Sequence, residues 1–123
     1  MSDNEFVFDT YAIIEVIRGN LDYKDYIDSK IVITEFILAE LCFNIIREHG
    51  LEKASYYVDK FSDFVIPVNK EIIKKAMVYR FKNLKSNISI TDCIGYFLAK
   101  EIGIKFLTGD KEFKGKSDVE FVV

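Results

Sequence analysis

Four acidic residues interrupt apolar stretches of this chain: Asp9, Glu40, Asp92 and Asp110. Asp9 sits within Phe6-Val7-Phe8-Asp9-Thr10-Tyr11-Ala12-Ile13-Ile14. Glu40 is the only charge between Phe36 and Ile46, and Asp92 the only one between Ser86 and Ala99. Asp110 ends the run Ile104-Lys105-Phe106-Leu107-Thr108-Gly109-Asp110. A buried carboxylate is costly unless it is paired, protonated or bound to a metal. Four of them along one small chain point to a shared cation site and so to a metal-dependent enzyme.

Each acid also has an ordinary reading. Asp9-Thr10 suits a helix N-cap at a strand-to-helix junction. Ser89-Ile90-Thr91-Asp92 fits a capping box. Asp110 after Thr108-Gly109 suits a turn. Glu40 is harder to place. It shares a helix face with Phe36, Phe43, Asn44 and Arg47, but a link to Arg47 spans two turns, poorer than the three- or four-residue spacing. Glu112 is either a fifth acid or a solvated side chain.

The acids must be positioned by the elements around them. Short β-branched and aromatic runs predict strands at Glu5–Phe8, Ile31–Ile33, Phe64–Ile66, Ile104–Leu107 and Val119–Val123. Between them the pattern predicts helices over Thr10–Arg18, Leu21–Ser29, Glu35–Glu48 and Leu51–Phe61. A further basic helix is capped by Asn69 and runs to about Lys82, and a last one runs from Ser89 or Thr91 to Ile102. Short strands alternating with helices imply a mainly parallel sheet covered on both faces, an α/β/α sandwich. Ligands in such folds bind beyond the carboxyl ends of the strands. Asp9 and Asp110 each follow a strand, while Glu40 and Asp92 lie one to two turns into helices.

The chain has 123 residues, half of them hydrophobic and 15% aromatic, which fits one domain spanning 1–123 with a real core. No apolar run approaches the ~20 residues of a membrane span. The segment Met1-Ser2-Asp3-Asn4-Glu5 is acidic and polar, unlike a signal peptide. Cys42 and Cys93 have no metal-type spacing and read as buried free thiols, with a reducing cytoplasm as the expectation. His49, before Gly50, reads as a helix-end cation rather than a catalytic base. The net charge of -3 disfavours a nucleic-acid binder in general. Bound divalent cations would reverse the field locally, however, and residues 69–85 carry six Lys or Arg against Glu71.

Val7-Phe8-Asp9-Thr10, Ile33–Leu41 with its inward Glu40, Ile88–Gly95 with Asp92, and Phe106–Phe113 with Thr108-Gly109-Asp110 together resemble the PIN domain, a fold of metal-dependent ribonucleases. The resemblance covers essentially the whole chain, and the small size is similar to the VapC-type toxins of toxin–antitoxin pairs. It implies Asp9, Glu40, Asp92 and Asp110 as metal-binding acids, with Thr10 and Thr108 as hydroxyls orienting carboxylates. Glu112 stands where many relatives have a further Asp. Gly95 and Cys93 stand where Ala is usual, departures that concern packing. All-oxygen ligands select one or two Mg²⁺ or Mn²⁺ ions over zinc. The implied reaction is cleavage of RNA by a metal-activated water, leaving a 5′-phosphate on the downstream product.

Lys74, Lys75 and Lys82 are candidate RNA-backbone contacts, or a solvated face. Tyr11, Tyr56, Tyr57 and Phe61 offer a homodimer face or an antitoxin groove, with core packing as the competing reading. Alternative functions are an RNA-maturation nuclease and a catalytically silent PIN-like binding module. A receiver-type switch is disfavoured because Thr34 and Pro67, not Asp, follow the middle strands.

Overall fold

A computed structural model describes residues 4–123; residues 1–3 of the acidic N-terminal segment lie outside the described residues. Four parallel strands form the sheet: β1 (Glu5–Phe8), β2 (Lys30–Val32), β3 (Lys105–Thr108) and β4 (Val119–Phe121), in the order β2-β1-β3-β4. The register pairs Val7 with Val32 and Phe106, and Phe8 with Leu107. Val7, Phe8, Phe106 and Leu107 are fully buried, as a parallel sheet covered on both faces requires.

Among the described residues five helices flank the sheet: α1 (Thr10–Arg18), α2 (Glu35–His49), α3 (Leu51–Phe61), α4 (Lys70–Lys82) and α5 (Ile90–Ile102). Sequence caps set their starts. Asp9, Thr34, Asn69 and Ser89 each accept a hydrogen bond from a backbone N–H three residues on. Gly19 ends α1 with φ 77°, a left-handed conformation that only glycine adopts cheaply, and turns the chain into Asn20. α5 lies close on the sheet at Gly95, where a Cβ would come within 2.9 Å of the Phe106 ring. The large ring at 106 thus fills the space an alanine would occupy, which explains that departure from the family pattern.

Two elements differ from the sequence-based expectation. Leu21–Ser29 is not an α-helix; a 3-10 segment covers Leu21–Tyr26. Phe64–Ile66 is not a strand. A 3-10 turn over Ser62–Phe64 uses up the local backbone, leaving one parallel bridge between Ile33 and Val65 before Pro67 removes a donor. His49 closes α2 as its last residue, ahead of Gly50. Cys42 and Cys93 are both free, Cys93 fully buried and Cys42 partly. Among the described residues no helix is long and apolar enough to cross a membrane.

Candidate active site

The two central strands each deliver an acid to the same edge of the sheet. β1 ends at Phe8 and is followed by Asp9. β3 ends at Thr108 and is followed by Gly109-Asp110. Because these strands are parallel neighbours, both acids emerge at the carboxyl edge, and the Asp9 N–H donates to Leu107 O at 3.0 Å. The chain leaves β1 for β2 on one side, while β3 pairs on the other. The crevice between β1 and β3 is therefore the topological switch point, where open α/β sheets bind ligands.

Asp9 is 2% exposed and fixed through both oxygens. Oδ1 accepts from Ala12 N at 2.7 Å, and Oδ2 accepts from the Thr108 hydroxyl. The Thr108 oxygen in turn accepts from Asp110 N at 3.0 Å. The capping reading of Asp9 is thus correct as local structure, and it leaves the carboxylate facing the crevice. Glu40 arrives from the second turn of α2 and accepts from the buried Thr10 hydroxyl at 2.7 Å. Arg47 is not its partner: it donates to Asn44 and lies over the Phe43 ring. Asp92 enters from the first turn of α5, its N–H donating to Ser89 Oγ at 3.0 Å.

Electrostatics ties the four acids together. Burial pushes the Asp92 carboxyl up to about 7, and the charges of Asp9, Glu40 and Asp110 add to the effect. Burial also pushes Asp9 up to about 6, reinforced by Asp110 and Glu40 and opposed by the hydrogen bonds from Thr108 and Ala12. Among the described residues none of the four acids forms a salt bridge. Asp9, Asp92 and Asp110 line a pocket of about 340 Å³ together with Tyr11, Glu15, Asn20 and Tyr23, and no Lys, Arg or His lines it. Such a pocket gathers partly buried like charges with no counter-charge among the described residues, an arrangement that a cation relieves.

The donor set fits a hard divalent cation. All candidate ligands are carboxylate oxygens, and each Asp9 oxygen keeps a lone pair beyond its hydrogen bond. Among the described residues no three acids, histidines or cysteines are close enough to form a ready ligand cage. Mg²⁺ does not need one: it keeps several waters and is held by one or two carboxylates. Asp9 and Asp92, the most perturbed pair, suit that role.

The remaining sequence candidates fall elsewhere. Glu112 is exposed and contributes to neither raised carboxyl; its field acts on Lys116 instead. Lys74, Lys75 and Lys82 line a separate groove on α4 with Val78, Tyr79 and Phe97. There Lys74 pairs with Glu71 at 3.6 Å and Lys75 with Glu101 at 3.8 Å. Tyr11 and Tyr56 are exposed, Tyr57 is half-buried, and Phe61 belongs to the core. Sequence reasoning missed Glu15, Asn20, Tyr23 and Gly109 as pocket residues. Glu15 was within reach, since it lies four residues after Tyr11 on one face of α1. Tyr23 was not, because only the 3-10 fold-back after Gly19 carries it to the crevice.

The PIN domain family model matches residues 6–118 of the chain. Solved structures agree in fold. VapC20 of Mycobacterium tuberculosis, a toxin that cleaves the sarcin–ricin loop, superposes with a TM-score of 0.77 at 15% identity, covering 97% of this chain and 99% of that one. A toxin–antitoxin complex from Klebsiella pneumoniae gives 0.72 at 18% identity over 94% and 95% of the two chains. VapBC2 from Rickettsia felis, bound to a DNA fragment from its promoter, gives 0.71 at 17% identity over 95% and 96%. No curated protein matched the chain in sequence.

Proposed function

The chain belongs to the PIN domain family, and from that premise we propose that it is a divalent-cation-dependent endoribonuclease, a VapC-type toxin. One observation carries the reading. Asp9, Asp92 and Asp110 line the crevice at the switch point with no basic side chain among its lining residues, Glu40 acts on the same field, and burial beside these charges holds Asp9 and Asp92 well above the usual carboxylate range. A purely structural cluster has no reason to keep that repulsion. A cation site does.

Asp9 and Asp92 would hold Mg²⁺ or Mn²⁺, with Glu40 and Asp110 acting directly or through water. When bound, the cation supplies a lowered pKa for an attacking water and neutralises charge growing on the phosphate. The chain's own residues do the positioning. Thr108 and the Ala12 N–H lock the Asp9 carboxylate, and Thr10 locks Glu40, so neither acid can swing away when the crevice fills. Asp110 N anchors Thr108 from behind. Cleavage is in-line, with water attacking phosphorus and the 3′ oxygen leaving, so the downstream fragment keeps a 5′-phosphate. Lys82 and its neighbours on α4 would contact the RNA backbone away from the acids.

The similarity to toxin–antitoxin complexes supports an antitoxin partner, and the exposed apolar residues Tyr11, Leu21, Leu51 and Tyr56 are what an antitoxin or a second copy of the chain would cover. The free cysteines suit a reducing cytoplasm. The test is cleavage of a panel of structured and single-stranded RNAs with Mg²⁺, Mn²⁺ or EDTA. Wild type cuts with the metals and not with EDTA, and Asp92→Asn does not cut. Equal cleavage by both proteins sinks the proposal.

A further inference from the structure

The acidic pocket poses a problem for an anionic substrate. A phosphodiester entering it meets Asp9, Asp92 and Asp110 and finds no basic side chain among the lining residues. Its side-chain hydrogen-bond donors must be neutral. Asn20 is half-buried and spends one amide hydrogen on Glu15, while its carbonyl accepts from Asp22 N. Tyr11 is 65% exposed at the rim. Tyr23 is the buried donor of the three.

Tyr23 is 5% exposed and lines the pocket, and its ring is held edge-on by Tyr26. Its hydroxyl is within the fields of Asp9 and Glu15, and no hydrogen bond to it contributes to its environment among the described residues. The one buried side-chain polar atom without a partner among the described residues is Tyr79 Oη, so the Tyr23 hydroxyl is open to the pocket and not an orphan sealed in the core. A phenol ionises only at about pH 10, so Tyr23 is an O–H donor at neutral pH. Gly109 keeps the space before it open. A Cβ there would stand 3.0 Å from Tyr23 Oη and 3.0 Å from Val122 O. Gly109 has no left-handed backbone, so the need for glycine is the space and not the conformation.

We infer that Tyr23 is a catalytic residue whose hydroxyl donates to a non-bridging oxygen of the scissile phosphate, in a cradle kept open by Gly109. This rests on the nuclease reading above and extends it to a residue outside the acid set. The donor faces charge that grows during attack on phosphorus, so its loss lowers turnover more than substrate affinity.

The experiment uses the full chain and an RNA that wild type cleaves in the panel, comparing wild type, Tyr23→Phe, Gly109→Ala, the double variant and Asp92→Asn. Thermal unfolding is recorded for each, and RNA affinity is measured in Ca²⁺. Tyr23→Phe lowers kcat about 30-fold, the loss expected for a hydrogen bond to a charged group, with affinity within about threefold and an unchanged unfolding temperature. Gly109→Ala has a similar effect, and the double variant is no worse than either single one, because both act on one contact. Tyr23→Phe turning over within twofold of wild type, while Asp92→Asn is inactive, overturns the role of Tyr23 alone. Loss of affinity with unchanged kcat overturns it too. No cleavage by wild type, or equal cleavage by Asp92→Asn, overturns the nuclease reading and this inference with it.

Discussion

The sheet has two edges, and both carry acids beside a pocket. At the amino edge Asp25, Asp28, Asp118 and Glu120 line a space of about 650 Å³, nearly twice the volume of the crevice at the carboxyl edge. Glu120 accepts from Tyr26 and pairs with Lys105, and Asp118 pairs with Lys100 at 3.0 Å. These charges are solvated or matched. At the carboxyl edge Asp9 is buried and Glu40, Asp92 and Asp110 are partly so, Asp9 and Glu40 are held by hydroxyls and a backbone N–H, and no salt bridge matches any of the four among the described residues. The difference teaches that neither the number of acids nor the size of a cavity marks a site. Clustered carboxylates raised by partial burial with no matching cation do.

The sharpest way to break the contrast is to neutralise one acid at each edge. Asp92→Asn lowers RNA cleavage by about 10²–10³-fold, the scale of losing one preorganised electrostatic group at a reacting centre. Glu120→Gln at the other edge leaves cleavage within about twofold. Single-turnover rates on one RNA check both. Similar losses from the two variants would erase the distinction.

Stability against pH comes next. Asp9 and Asp92 have folded-state pKa values of about 6 and about 7 against 3.8 for the free side chain. The folded chain therefore binds these protons more tightly than the unfolded chain. Their contribution favours folding below about pH 4 and is lost as pH rises from about 4 to 7. In EDTA the melting temperature falls across that window. Mg²⁺ at pH 8 restores it by binding the ionised acids of the folded state. Asp92→Asn is then more stable than wild type in EDTA at pH 8, and it loses most of the gain from Mg²⁺. Calorimetry at pH 4, 6 and 8 reads all three effects.

Thr108→Val sharpens the contrast more gently. It frees Asp9 Oδ2 while keeping side-chain shape, and it lowers Mn²⁺ affinity about 10–100-fold, as for other groups that orient metal ligands. Titration calorimetry measures this directly. The smallest effect belongs to the amino edge: Lys105→Met removes an exposed ion pair and shifts stability by less than about 1 kcal/mol, read from denaturant unfolding.

Much of this was legible in the chain. The run Phe6-Val7-Phe8 before Asp9 and the run Phe106-Leu107-Thr108 before Asp110 announced buried parallel strands, because a strand covered on both faces has no polar side to show. Ser89, Thr34 and Asn69 announced helix starts, because a cap acts over three residues. The region around Tyr23 was not legible. Its periodicity suits a helix, but six residues of 3-10 geometry took its place, and that turn decides where the hydroxyl goes. Ile33 and Val65 make a bridge rather than a strand for a similar reason, since neighbouring turns had already taken the backbone. Nor could the sequence decide between Asp9 as a cap and Asp9 as a ligand. The structure shows one carboxylate with an oxygen on Ala12 N and the other on Thr108, so the alternatives were never exclusive.

The sequence by itself determined which acids sit in apolar surroundings, because local composition sets the cost of a charge before any contact is made. It also determined the parallel α/β pattern, since strand and helix periods are local. Tertiary structure alone decided that Asp9, Glu40, Asp92 and Asp110 repel one another across gaps of up to a hundred residues, that Arg47 and Glu112 stand apart from them, and that Tyr23 faces the space left by Gly109. Those are matters of distance between elements, and distance is fixed only when β1 and β3 pair at the switch point and α2 and α5 pack beside them.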